Sequence, residues 1–317
     1  MTTASKATDL RISAFPGAPN LPTFAGLEKG FFAEEGVAVD LSLTTSSLAQ
    51  AEAAAAGEFD IVFTAFDNVV AYAEGQGAAP GVDPDYVVLM GATQLELAII
   101  AAPDVSSCAA LGGRSIALDA LTTGFAFVLF DMLERNGVAK DDVTYAAVGA
   151  TPQRWRSVRE GEHAATLTIE PFTSIAKRSG FNVLDLSTRH YESYQGGVIT
   201  ARRAFARDEP EAVRAFIRAY LRGLAWVLDP ANAAEAAGLL KARMPEIPPA
   251  AIESVMASLR SPRSGLTPDA AILPDGMKRV LALRSRYGSG GDLGDDYRKY
   301  LDLSHIRAVR GANQVSA

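Results

Sequence analysis

Between residues 10 and 92, short apolar runs and helix-like stretches alternate, and this alternation restricts the chain to very few architectures. Runs rich in Val, Ile, Leu and Phe fall at residues 10–15, 37–43, 59–63 and 86–92, with helical stretches at 22–32, 46–56 and 66–76. Strands separated by helices at this spacing predict right-handed βαβ crossovers and a parallel sheet. Near Leu111 the pattern begins again, with strands at 114–118, 143–148 and 166–169 and helices over 123–136 and 152–160. Gly57-Glu-Phe-Asp60 before one strand is echoed by Gly161-Glu-His-Ala164 before another, so two similar lobes are expected.

After Gly197 the pattern turns helical, over 208–228, 233–243, 249–259 and 274–286. In the first of these, Val213, Phe216, Ile217, Tyr220, Leu221, Leu224 and Val227 recur at helical spacing and form one apolar face. With no sheet of their own, these helices are expected to pack on an earlier lobe. Gly288-Ser-Gly-Gly-Asp292 reads as a flexible break, and the polar stretch from Arg307 as disordered.

The 317 residues are 48% apolar and carry a net charge of −7, enough to bury a large core and opposed to non-specific nucleic-acid binding. No basic run precedes Leu10 to build a DNA-binding helical module, so a ligand-sensing regulator is set aside. The single cysteine, Cys108, excludes an intrachain disulfide and a thiolate metal cluster; a half-buried inert thiol is the plainer reading than a nucleophile. His163, His190 and His305 are scattered without metal-ligand spacing, so neither metal nor cofactor is expected. Phosphate-loop, serine-hydrolase and dinucleotide signatures do not occur in a strand-to-helix setting, which favours binding over catalysis.

In open α/β sheets, ligands collect at the turns leaving the carboxyl ends of the strands. Here those turns offer Pro16, Thr45, Ser46, Phe66, Asp67, Gln94, Asp119, Thr122, Thr123, Gly124 and Glu170 as candidates, mostly neutral donors and acceptors suited to a polar ligand. Thr122-Thr123-Gly124 opens a helix whose free N–H groups favour an anionic or acceptor group, though either threonine also serves as a plain N-cap. Glu170 can hold an ammonium or an amidine-like heterocycle edge, or simply cap the helix opened by Pro171. Trp155 and Tyr194 can stack on a planar ligand near a hinge, and packing is their other reading. Without clustered Arg and Lys in these turns, a monoanionic, zwitterionic or neutral heterocyclic ligand fits better than a multiply charged anion.

Phe24-x-Gly26-Leu-x-x-Gly30-Phe-Phe-x-x-x-Gly36, Gly57-x-x-Asp60, Leu111-x-Gly113 and Arg154 with Gly161, leading to Glu170-Pro171, resemble the periplasmic solute-binding proteins of the nitrate, sulfonate and taurine type, including the NMT1/THI5-like relatives that bind a thiamine pyrimidine precursor. The resemblance covers residues 9–230 and implies an α/β, type II periplasmic-binding-protein fold: two α/β lobes, a two-segment hinge and extra C-terminal helices. Lobe one would comprise residues 9–95 plus 198–290, lobe two 96–197, and a C-terminal extension 291–317. It further implies the substrate-binding component of an ABC-type importer, a monomer that closes on a sulfonate, taurine-like or pyrimidine-like ligand and meets an ABC permease. The alternative is a cytoplasmic enzyme on the same scaffold, a decarboxylase, desulfinase or pyrimidine-synthase-like protein. The first nine residues hold no apolar signal core, so the expected location is periplasmic if a signal was removed and cytoplasmic if the sequence is complete.

Overall fold

The computed structural model describes residues 7–311, and the backbone forms two five-stranded sheets. In the first sheet, β1 (Thr8–Ala14), β2 (Val37–Leu43), β3 (Ile61–Ala65) and β4 (Tyr86–Thr93) are joined by the last strand of the chain, β10 (Gly197–Arg202), in the order β2-β1-β3-β10-β4. The second contains β5 (Ala98–Ala101), β6 (Ser115–Leu118), β7 (Thr144–Ala147), β8 (Ala165–Thr168) and β9 (Asn182–Leu186), in the order β7-β6-β8-β5-β9. Both sheets follow one plan: three parallel strands, then the strand that has just crossed from the other sheet, then an outer strand.

The expected parallel sheets are therefore mixed. β10 runs antiparallel to β3 and β4, and β5 runs antiparallel to β8 and β9, because each enters its sheet from the opposite lobe. β5, β9 and β10 also lie outside the runs read as strands. β9 is an edge strand with only one of its five residues buried, so it lacks the continuous apolar run of a central strand.

Helices α1 (Leu21–Glu28), α2 (Phe31–Glu34), α3 (Ser47–Ala55) and α4 (Phe66–Ala73) accompany the first sheet, and α5 (Gly124–Arg135), α6 (Thr151–Arg159) and α7 (Phe172–Arg178) the second. The helix expected over 22–32 is broken at Gly30, whose φ of +75° is left-handed and turns the chain so that Phe32 packs inward. The C-terminal part adds α8 (Arg203–Asp208), α9 (Pro210–Leu228), α10 (Ala233–Arg243), α11 (Ile252–Arg260), α12 (Pro274–Tyr287) and α13 (Ser304–Arg310). Pro210 begins α9 where its missing N–H costs nothing. Six of the seven residues of its apolar face are buried, Leu221 being half-buried, and each fully buried Phe, Ile or Leu contributes about 1.5–3 kcal/mol.

The stretch from Arg307, expected to be disordered, is helical as far as Arg310. Ile306 enters the core that also holds the apolar face of α9, and His305 is buried beside it. Residues 312–317 lie outside the described residues. The Gly288–Asp292 segment packs on lobe one, with Gly288 and Gly290 pressed against the Gln76 side chain. No helix among the described residues is long and apolar enough to cross a membrane.

Two chain segments, 94–97 and 187–196, connect the sheets. They are cross-tied: Leu97 donates to the Ser187 hydroxyl at 2.9 Å, and the Gly196 N–H donates to the Gln94 carbonyl at 2.9 Å. The fully buried Gln195 donates to the Gly197 carbonyl at 2.8 Å and accepts from the Leu273 N–H at 2.9 Å, so α12 begins at the hinge itself.

Candidate ligand-binding site

Between the sheets lies a cavity of about 100 Å³ whose walls come from both. One water needs about 10–15 Å³ on this measure, so the space suits a small ligand. Lobe one supplies Phe15, Asn20, Phe63, Thr64, Asn68 and Tyr220, and lobe two supplies Asp119, Thr123, Phe125, Thr151, Arg154 and Ile169. The lobes meet around it through backbone contacts, Ala150 N–H to the Thr45 carbonyl at 2.8 Å and Ala18 N–H to the Glu170 carbonyl at 3.2 Å. The Ser47 N–H, at the start of α3, donates to both Asp119 carboxylate oxygens at 3.2 and 3.1 Å, where the positive end of the helix favours the charge.

Arg154 is the decisive side chain. It sits in the first turn of α6, on the end of the helix where a cation is unfavourable, and is 2% exposed. Its guanidinium donates to the Thr166 hydroxyl at 3.2 Å, the Gly149 carbonyl at 2.8 Å, the Thr151 hydroxyl at 3.1 Å and the Leu167 carbonyl at 3.0 Å. These four bonds use four of the five donors of an arginine and leave one N–H on Nη1 uncommitted. Among the described residues no carboxylate pairs with it within ion-pair distance. Burial pulls Arg154 down to about 10, against the attraction of Asp119, so it remains a cation at neutral pH. On the opposite wall the Tyr220 hydroxyl is buried with no hydrogen-bond partner among the described residues.

Of the residues singled out from the sequence, Asp119 and Thr123 line this cavity; Thr123 Oγ1 donates to the Ala120 carbonyl at 3.1 Å. Pro16 lies between the lining residues Phe15 and Gly17, while Thr45 contributes its carbonyl to the lobe contact. Ser46 caps α3 by accepting from the Ala49 N–H at 3.0 Å. Phe66 is packed in the core, edge-on to Tyr300, and Asp67 is fully buried in an ion pair with Arg284. Thr122 gives its carbonyl to Arg284 at 2.9 Å, and Gly124 presses on Asp67 so closely that a Cβ would lie 2.4 Å from the aspartate Cβ. Gln94 donates to the Pro262 carbonyl in the hinge region. Trp155 packs edge-on against Phe181 inside lobe two, and Tyr194 stacks on Tyr191 beneath the hinge. Glu170 turns to Ser174, accepting from its hydroxyl at 2.9 Å, and burial raises its carboxyl above the usual range, with Glu96 adding to this.

Asn20, Asn68, Thr151, Arg154 and Tyr220 enter the site without having been chosen from the sequence. A cation in a first helical turn is a legible signal for Arg154. Tyr220 has none, since it occupies a core position of the α9 face.

The model of the family described as NMT1/THI5 like matches residues 19–233. The chain belongs to this family. No curated protein matches it at a significant level of sequence similarity. Among solved structures, a protein of Bordetella bronchiseptica RB50 superposes with a TM-score of 0.78 at 23% identity, covering 97% of this chain and 98% of that one. The periplasmic nitrate-binding protein NrtA from Synechocystis PCC 6803 gives 0.78 at 14% identity over 99% and 91%. The alkanesulfonate-binding protein SsuA from Xanthomonas axonopodis pv. citri, bound to MOPS, gives 0.71 at 15% identity over 92% and 98%. These likenesses establish the periplasmic-binding-protein fold for this NMT1/THI5-like chain. The desulfurization enzyme DSZB has the same fold, at a TM-score of 0.64 and 14% identity over 97% and 100%.

Proposed function

We propose that this NMT1/THI5-like protein is the substrate-binding component of an ABC-type importer and that its lobes close on a small monoanion with an apolar body. The observation that carries this reading is Arg154, a buried cation on the cavity wall with one free N–H and no carboxylate pairing with it among the described residues. A buried charge is costly unless paired, and a ligand anion would complete the set. Phe15, Phe63, Phe125 and Ile169 form the apolar walls, which suit a sulfonate better than nitrate. A taurine-like zwitterion would also place its ammonium near Asp119. On this reading the protein works as a monomer in the periplasm and hands its cargo to a permease.

The enzyme alternative gains no support from Cys108. Its thiol is pushed up to about 11 by burial, and it lies outside the cavity walls.

Thermal unfolding of the protein with alkanesulfonates, taurine, nitrate and neutral pyrimidines tests the reading. A true ligand at about 100 times its dissociation constant adds about 2.7 kcal/mol of stability. At least one monoanion is expected to raise Tm, and Arg154→Gln to abolish the shift. Stabilisation by neutral pyrimidines alone, or a shift that survives Arg154→Gln, would overturn the monoanion assignment.

A further inference from the structure

A second cavity, of about 470 Å³, lies on lobe one and shares no lining residue with the cleft. One wall is the segment Asp269, Ala270, Ala271, Ile272 and Pro274 before α12; the other is the C-terminal stretch from Tyr297 through α13. The two are held beside the edge strand β4, which meets Leu266 through Thr93 and Leu301 through Val88.

Arg298, Arg307 and Arg310 line this cavity, and among the described residues none of the three makes an ion pair or a side-chain hydrogen bond. Elsewhere on the molecule, arginines such as Arg218, Arg222, Arg243 and Arg286 are matched to carboxylates, as an acidic chain of net charge −7 readily allows. The Nη2 of Arg310 is buried with no hydrogen-bond partner among the described residues, which costs more than leaving a neutral group unpaired. Two carboxylates also face the cavity. Asp302 is engaged, accepting from the Ser304 N–H at 3.0 Å with the His305 ring 3.7 Å away, whereas Asp269 makes no ion pair among the described residues.

We propose that this cavity is a second ligand site, distinct from the transport cleft, that binds a soluble anion carrying more than one phosphate group. With Arg298, Arg307 and Arg310 all on one wall, an anion with several charged oxygens can engage more than one guanidinium, which a single monoanion cannot. The larger volume suits a ligand longer than one oxyanion. Asp269 opposes the anion and limits its affinity, so that binding depends on the ligand carrying more than one charge.

Calorimetric titration of the full chain with inorganic pyrophosphate tests this, with orthophosphate as the single-group comparison. One pyrophosphate is expected per chain, bound at least tenfold more tightly than orthophosphate. Arg310→Gln should weaken it at least tenfold while leaving cleft-ligand binding unchanged. Asp269→Asn keeps every arginine in place and should tighten it severalfold, which covers the case in which the arginine variant fails to fold. No heat with pyrophosphate, or unaltered affinity in both variants, would overturn the proposal. Binding lost in Arg154→Gln but kept in Arg310→Gln would put pyrophosphate in the cleft and overturn it as well. So would binding that appears only after removal of residues 312–317, because the chain's own end would then be the occupant.

Discussion

The hydroxyl of Tyr220 is an expensive atom to bury without a partner, about 1–3 kcal/mol for an unsatisfied polar group. Tyr220→Phe removes that cost and retains the ring, which packs edge-on to Phe63 and stacks on Phe216. The ligand-free variant is expected to be as stable as the parent or up to about 1 kcal/mol more stable, and to bind the cleft ligand more weakly. Urea melts with and without ligand separate the two effects. Glu170 offers a pH test. Its folded-state pKa is raised, chiefly by burial, so the folded form prefers the protonated acid. Its contribution is therefore most favourable below the unfolded-state pKa and is lost as pH rises through the folded one. Glu170→Gln should be more stable than the parent at pH 7, with the difference shrinking as pH falls to about 4, the ordinary glutamate range. A difference that grows on acidification would contradict the assignment. At this scale the sequence was only partly legible. Asp119 and Thr123 were found because they sit at the carboxyl end of β6, where position alone points to the cleft. Phe66 and Asp67 follow β3 directly as the start of α4, but their side chains face the core and Arg284, a direction that strand position does not encode.

Among the elements, α12 holds the unusual position, because it packs on α4 of lobe one and α5 of lobe two. Arg284 forms a fully buried ion pair with Asp67 on α4 and donates to the Thr122 carbonyl just before α5, with its guanidinium over the Phe127 ring at 4.9 Å. Tyr287 stacks on Phe127 and donates to Glu134 at 2.9 Å. Asp67→Asn keeps the shape but strands the cation in the interior, and is expected to destabilise by about 3–5 kcal/mol in chemical denaturation. Replacing Asp67 and Arg284 together with apolar residues of similar volume should recover much of that loss, which a double-mutant cycle would measure. The existence and apolar face of α9 were readable from periodicity, a local property. The antiparallel course of β5 and β10 was not, since strand direction here follows from which lobe the chain has just left, a relation between segments far apart in sequence.

For the whole molecule, the contact of Gly124 in lobe two with Asp67 in lobe one sets how near the lobes approach. Gly124→Ala would place a Cβ 2.4 Å from the Asp67 Cβ and 2.5 Å from its Cγ. Both lobes fold around their own sheets, so the variant is expected to remain folded while its halves stay parted. Small-angle X-ray scattering should find it more extended than the parent, with cleft-ligand affinity reduced at least tenfold. An unchanged scattering profile would mean that the contact yields without resisting closure.

The Asp67–Arg284 pair, each partner 1% exposed, lies beneath Gly124 and the Thr122 carbonyl of lobe two. Swinging that lobe away would admit water to the ions, so the hydration they regain would offset part of the apolar contact that is broken. Shut and gaping forms would then differ by a term belonging to the protein alone, present before any ligand binds. A ligand would need to supply only the remaining difference.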